Sequence, residues 1–144
     1  MKRNIFFITA IVLFAAHALF AQKIVDKPNV QAVKSSAAYA EVLIQKAELT
    51  AELENLLLDY TEEYPKIKEL RFELGVLQKD IEKLWTVTDA ARLTTALGKL
   101  IVRRAALATD VWNLQRQYTD EDPNVKRARR KVEVFDKAIK EILP

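Results

Sequence analysis

Apolar residues recur in steps of three and four along most of this chain, which is the spacing of one face of an α-helix. A first seam of this kind has a charged residue, Lys46, in one of its slots and otherwise consists of Tyr39, Val42, Leu49, Leu53, Leu56 and Tyr60. A second, unbroken seam follows and consists of Ile67, Leu70, Leu74, Leu77, Ile81 and Leu84. The pattern predicts two amphipathic helices joined by a short turn.

Both seams return in the second half of the chain. Residues 38–85 align with residues 96–143 without a gap, and 14 of the 48 aligned pairs are identical. Repetition at a fixed period is typical of stacked supersecondary units. Extra apolar residues widen the seams beyond a two-stranded contact, among them Leu43, Ile44 and Ala47. The sequence therefore predicts an all-α fold of two tandem helical hairpins, arranged as a four-helix bundle, an elongated coiled-coil-like assembly or an oligomer.

A proline interrupts each unit once. Proline is tolerated at the first position of a helix and disfavours helical geometry in the residue before it, so a new helix should begin at each proline. A turn this short makes the two helices antiparallel. We expect the tyrosines to close the hairpin ends against Ile67 and Val125 and the threonines to bond to the turn; the alternative is a ligand site. The recurring residues, interpreted as structural, are Tyr60, Thr61, Pro65, Tyr118, Thr119 and Pro123.

The chain before the first hairpin has the pattern of an export signal. Two basic residues precede an apolar stretch from Ile5 to Phe20, and small residues follow. As a helix this stretch spans about 24 Å, whereas a membrane core is about 30 Å thick. We expect cleavage near Ala21 and a periplasmic or secreted protein, with an uncleaved anchor as the alternative. The predicted organisation is a signal peptide at 1–21, a tether at 22–27, and repeats at 28–85 and 86–144, separated by a turn at 85–89.

The composition argues against most catalytic chemistry. The chain has no cysteine, which excludes disulfides and thiolate metal sites, and its one histidine, His17, lies in the predicted signal. No glycine-rich phosphate loop accompanies the carboxylates. We therefore predict a protein that is not an enzyme, with no catalytic, cofactor-binding or metal-binding residues. Without Lys2 and Arg3 the net charge falls from +3 to +1, which does not indicate a nucleic-acid partner.

Charged positions leave two interpretations open. The one basic run should lie opposite the seam of its helix, either as a solvated face or as a contact for anionic lipid or acidic glycan. Its candidate contact residues are Lys126, Arg127, Arg130 and Lys131. Within the first-helix seams, Lys46 and Arg104 either lay their methylene stems along the apolar surface or pair with acids of the next helix. The nearest acids are Asp80 for Lys46 and Asp136 for Arg104.

The turn motif also carries a family resemblance. From Leu56 to Arg71, and again from Leu114 to Arg129, each unit has a leucine, a Tyr-Thr pair, a Glu, the proline, a β-branched residue and an arginine at the same intervals. This segment resembles the helical hairpin in the periplasmic coiled-coil regions of polysaccharide chain-length-determinant proteins. The resemblance implies an envelope-facing helical hairpin. We expect a non-enzymatic scaffold, adaptor or chaperone-like protein that binds a protein partner or itself through helical faces; the alternative is a binder of anionic lipid or acidic polysaccharide, accessory to polysaccharide export.

Overall fold

The computed structural model describes residues 29–143, and the helices in this part are α1 (Val30–Lys34), α2 (Ala37–Asp59), α3 (Pro65–Leu84), α4 (Thr95–Gln115) and α5 (Pro123–Ile142). A single 3₁₀ turn, Ala90–Arg92, precedes α4. No strand occurs within residues 29–143, so the all-α prediction is confirmed. The predicted signal peptide and tether lie outside the described residues. None of the described helices is long and apolar enough to cross a membrane.

The helix starts repeat with the sequence. In the gapless alignment of the two units, Thr95 falls opposite Ala37 and Pro123 falls opposite Pro65. Serine or threonine side chains cap α2 and α4, because the hydroxyls of Ser36 and Thr94 accept a hydrogen bond from the third backbone N–H of their helices. Helix α3 ends at Leu84, so the turn expected over 85–89 is present. The units are thus two helical hairpins with the same framework.

Helix α4 occupies the centre of the bundle. Helices α2, α3 and α4 all contact one another, whereas the main neighbour of α5 is α4. The core consequently comes mostly from the first unit and α4, and its fully buried large residues include Leu70, Leu77, Leu84 and Leu97. Val125 is the only buried residue of α5. Phe135, which the seam placed at the middle of the second hairpin, is only half-buried.

The two units approach each other closely at Gly98. A Cβ atom added there would lie 2.6 Å from the Cβ of Glu41 and 2.9 Å from the carbonyl oxygen of Ala38, closer than real Cβ atoms come. The backbone N–H of Ala38 also donates to the carbonyl of Leu93, 3.1 Å away. The glycine therefore allows α2 and α4 to pack at their amino-terminal ends.

Substituting Gly98 by alanine should lower stability by about 1–3 kcal/mol, because the clash outweighs the better helix propensity of alanine. Gly75→Ala is the matched control: Gly75 is an exposed α3 residue with no atom within 4 Å of the added Cβ. It should gain about 0.5–1 kcal/mol. Urea unfolding of the two variants measures both changes in the free energy of unfolding. Equal stabilisation by the two changes would show that α2 and α4 are further apart than described.

Candidate interaction surfaces

The two proline turns fold alike. The backbone N–H of Tyr60 and of Tyr118 each donates to the carbonyl four residues earlier at 2.9 Å, and the carbonyls of Thr61 and Thr119 accept from the residue before the proline. The threonines thus act through the backbone. Both tyrosine rings remain nearly half exposed, and Tyr60 stacks on Tyr64 with ring centroids 4.2 Å apart.

Ion pairs fasten each turn to its second helix. The guanidinium of Arg71 binds Glu62, with Nε to Oε2 at 2.7 Å, and Arg129 binds Asp120 at the equivalent place with a 2.5 Å bond. These hydrogen bonds hold the pKa of Glu62 and of Asp120 below their usual values.

A second ion pair reinforces each turn. Lys68 pairs with Glu63 in the first unit, and Lys126 lies 3.8 Å from Glu121 in the second. The shared lysine, arginine and glutamate of the motif therefore all have a local structural role. Nothing in this arrangement requires a ligand at the turns.

A buried charge cluster joins three helices at mid-length. Asp80 of α3 is 3% exposed, and its carboxylate accepts hydrogen bonds from Arg104 of α4 and from Lys83, the latter at 3.2 Å. Arg104 Nε lies 3.5 Å from a carboxylate oxygen of Asp136 on α5. The predicted pairing of Arg104 with Asp136 is confirmed. The suggested pairing of Lys46 with Asp80 is wrong, since Arg104 occupies that acid and Lys46 donates to Gln78 at 2.7 Å.

Beside this cluster a cleft of about 670 Å³ opens between α3, α4 and α5. Its walls combine apolar residues such as Leu84 and Ile139 with charged ones. Most of the charged groups pair with each other: Arg104 and Lys83 with Asp80, and Arg92 with Asp89 at 3.2 Å. No group of three or more residues within 29–143 is arranged to hold a metal ion.

The basic run on α5 is exposed but divided between two faces. At 100° per residue, Lys126 and Arg130 point to the outer side, while Arg127 and Lys131 line a shallow groove between α4 and α5 of about 500 Å³. Lys126 pairs with Glu121, and Arg127 donates to Asn124 at 2.8 Å. Within the described part of the chain, Arg130 and Lys131 have no ion-pair partner. Arg127 and Lys131 therefore lie in a groove, whereas Lys126 and Arg130 lie on an ordinary solvated face.

An apolar stripe runs along α2 on the side away from the core. It comprises Ala40, Leu43, Ile44, Ala47, Ala51 and Leu58, all exposed; from Ile44 onward the steps are three, four and seven, and the exposed Glu54 lies between Ala51 and Leu58. Leu43 and Ile44 are 45% and 56% exposed, and Leu58 is 81% exposed. Apolar residues at this spacing lie on one face of a helix, as they do where two helices pack together. We refer to these six residues as the α2 stripe.

The sequence predicts this surface only in part. Leu43, Ile44 and Ala47 widen the seam in the apolar pattern, whereas the alanines at 40 and 51 do not stand out in it. The feature that connects the stripe residues is a second set of apolar positions, seven residues apart and offset from the seam.

Glu73 is a buried acid that the apolar pattern does not single out, although it stands between the seam residues Leu70 and Leu77. It is 8% exposed, and burial raises the pKa of its carboxyl, with nearby Asp110 adding to the effect.

No protein-family model, curated protein or solved structure matches the chain. The turn motif, the basic run and the α2 stripe must therefore be interpreted from their own geometry.

Proposed function

We propose that this protein is an exported, non-enzymatic helical binding protein of the cell envelope, acting as a scaffold, adaptor or chaperone-like factor through the α2 stripe. The observation that carries the proposal is the exposure of the large aliphatic residues Leu43, Ile44 and Leu58 on one face of a long helix whose opposite side packs in the core. Contiguous exposed apolar surface rimmed by charged residues is typical of a protein-binding site.

The rest of the molecule is suited to hold that face rigidly. The opposite side of α2 contributes Val42, Leu49 and Leu53 to the core, so the stripe cannot turn inward without unfolding the helix. The turn motif adds ion pairs that hold the hairpin ends. The signal-like amino terminus supports export, and the resemblance to chain-length-determinant hairpins favours an envelope location.

The absence of cysteine from the sequence allows a direct test. A single thiol introduced as Ala47→Cys can carry a polarity-sensitive dye on the α2 stripe, and Gly75→Cys carries the same dye on exposed α3 as the control. Adding a reductively unfolded test protein should blue-shift the emission at position 47 and leave position 75 unchanged. Equal responses at the two positions, or none at 47, would remove the stripe as the binding surface.

A second function is favoured by the exposed, partly unpaired cations of α5: binding to anionic lipid or acidic glycan. The triple variant Arg127→Glu, Arg130→Glu, Lys131→Glu should then lose sedimentation with phosphatidylglycerol vesicles while its helicity stays unchanged. Binding by the unaltered protein should weaken with salt, since exposed charges are screened within about 8 Å at physiological ionic strength. Undiminished binding by the triple variant would make the run a solvated face.

A further inference from the structure

Helices α2 and α4 are the first long helices of the two units. On one face of these helices the aligned residues differ in burial. In α4 this face packs against the first unit, and its residues Gly98, Ile101, Ala105 and Thr109 are buried. The residues aligned with them in α2 are Ala40, Leu43, Ala47 and Ala51, and all four are exposed. Four of the six residues of the α2 stripe therefore occupy the positions through which α4 packs on the first unit, without a unit to cover them.

The second unit also has a surface at the place that receives α4 on the first unit, although with different side chains, Arg127, Arg130 and Ala138. On the first unit, α4 binds through Arg104 to Asp80, through Trp112 stacked on Phe72 at 5.0 Å, and through Asn113 to Glu69 at 2.8 Å. On the second unit the corresponding surface is open. Leu70, Leu77 and Leu84 are buried in α3, whereas their counterparts in α5, Ala128, Phe135 and Ile142, are only half-buried.

The net charges of α2 and α5 determine which of these surfaces can dock on each other between two copies. Helix α2 carries five acidic residues and one basic residue, a net charge of −4, and α5 carries seven basic and three acidic residues, a net charge of +4. Two α2 helices would therefore repel each other, whereas α2 and α5 attract.

The equivalent positions refine this comparison. Inside the chain, Glu73 of α3 and Asp110 of α4 carry like charges, and Asp110 adds to the raised pKa of the Glu73 carboxyl, after burial and the nearby Glu69. Their counterparts in the other unit are Lys131 and Glu52, which have opposite charges. Lys131 lies in the open α4–α5 groove, and Glu52 is exposed on α2. The two positions that carry like charges within one chain would therefore carry opposite charges between two copies.

We propose that copies of this protein associate head to tail, with the α2 stripe of one copy docked on the α4–α5 face of the next. The packing repeats that of the second unit on the first, and it places Glu52 of one copy near Lys131 of the other. A heterologous contact of this kind forms a ring if its rotation closes and a filament if it does not. The proposal rests on the proposed function, because it assigns a second copy as the partner of the stripe.

Charge reversal tests the pairing. One variant, Glu48→Lys with Glu52→Lys, makes the stripe side basic, and the other, Arg127→Glu with Lys131→Glu, makes the groove side acidic. The unaltered protein should associate with rising concentration in sedimentation velocity, and each variant alone should associate at least about tenfold more weakly, because like charges then face each other. An equimolar mixture should recover association, since opposite charges meet again where the two variants dock on each other.

The outcomes separate the alternatives. A protein that stays monomeric at all concentrations overturns the proposal. So does association that neither charge reversal alters, which would come from another surface such as the apolar amino-terminal stretch. Association that becomes stronger in the stripe variant and is unchanged in the groove variant would contradict it in favour of pairing of α2 with α2, because the two lysines remove the repulsion between acidic α2 helices. If self-association fails while the dye at position 47 still responds to the unfolded test protein, the proposed function stands with a different partner.

Discussion

Replacing Arg104 by methionine is expected to lower the free energy of unfolding by up to about 3–5 kcal/mol, because it removes the buried partner of Asp80 and leaves that carboxylate only the exposed Lys83. The side chains of Arg104 and Asp80 are 14% and 4% exposed, so solvent cannot take over from the guanidinium. Arg104 also links α3 to α5 through Asp136, and its loss loosens both contacts.

The adjacent Arg103 provides the control. It is exposed on α4 and makes no ion pair within residues 29–143, so Arg103→Met should change stability by less than about 0.5 kcal/mol. Chemical unfolding followed by circular dichroism compares the two. The double change Asp80→Asn with Arg104→Met should cost less than the two single changes together, since the uncompensated charge is gone. Equal effects of Arg104→Met and Arg103→Met would show that the buried cluster is absent.

Leu77→Ala should cost about 2–5 kcal/mol, the range for deleting a buried leucine. The side chain of Leu77 is fully buried in the core shared by the first unit and α4. Its counterpart in the second unit is Phe135, which is only half-buried on the open side of α5. Phe135→Ala should therefore cost less, although it removes more atoms.

Thermal unfolding at matched pH and concentration tests this order. Concentration matters because a copy docked on α5 would cover Phe135, so the comparison belongs at the lowest measurable concentration. A loss of stability for Phe135→Ala equal to or greater than that for Leu77→Ala would mean that the second hairpin is as well covered as the first.

The helical framework was predictable from the sequence because it depends on local signals. The prolines at 65 and 123 begin helices where the seams require it, and every long helix of the first unit has a counterpart at the aligned place in the second. The break after Lys34 was not predicted. There Ser36 turns its hydroxyl to the carbonyl of Val33 at 2.7 Å and caps the next helix, so Asn29 caps only the short α1.

The arrangement of the units was less accessible, because it depends on which face of each helix finds a neighbour. Seam spacing treats Leu77 and Phe135 alike, yet α3 packs against both α2 and α4, whereas α5 packs mainly against α4. The same limit applies to Glu73, which lies beside the seam residue Leu74 and whose charge argues against burial. The basic run is exposed as expected, but its division between an outer face and a groove follows from the placement of α5 on α4.

The single-sided docking of α5 has a dynamic consequence. With Val125 as its only buried residue, α5 can separate from α4 at a smaller cost in apolar burial than any other long helix of the bundle. We therefore expect detachment of this helix to be a low-energy partial opening of the native state, one that leaves the buried residues of α2, α3 and α4 together. A second copy docked on α5 would add contacts to that helix. The amides of α5 that exchange most slowly would then exchange more slowly still when the open side of the helix is covered.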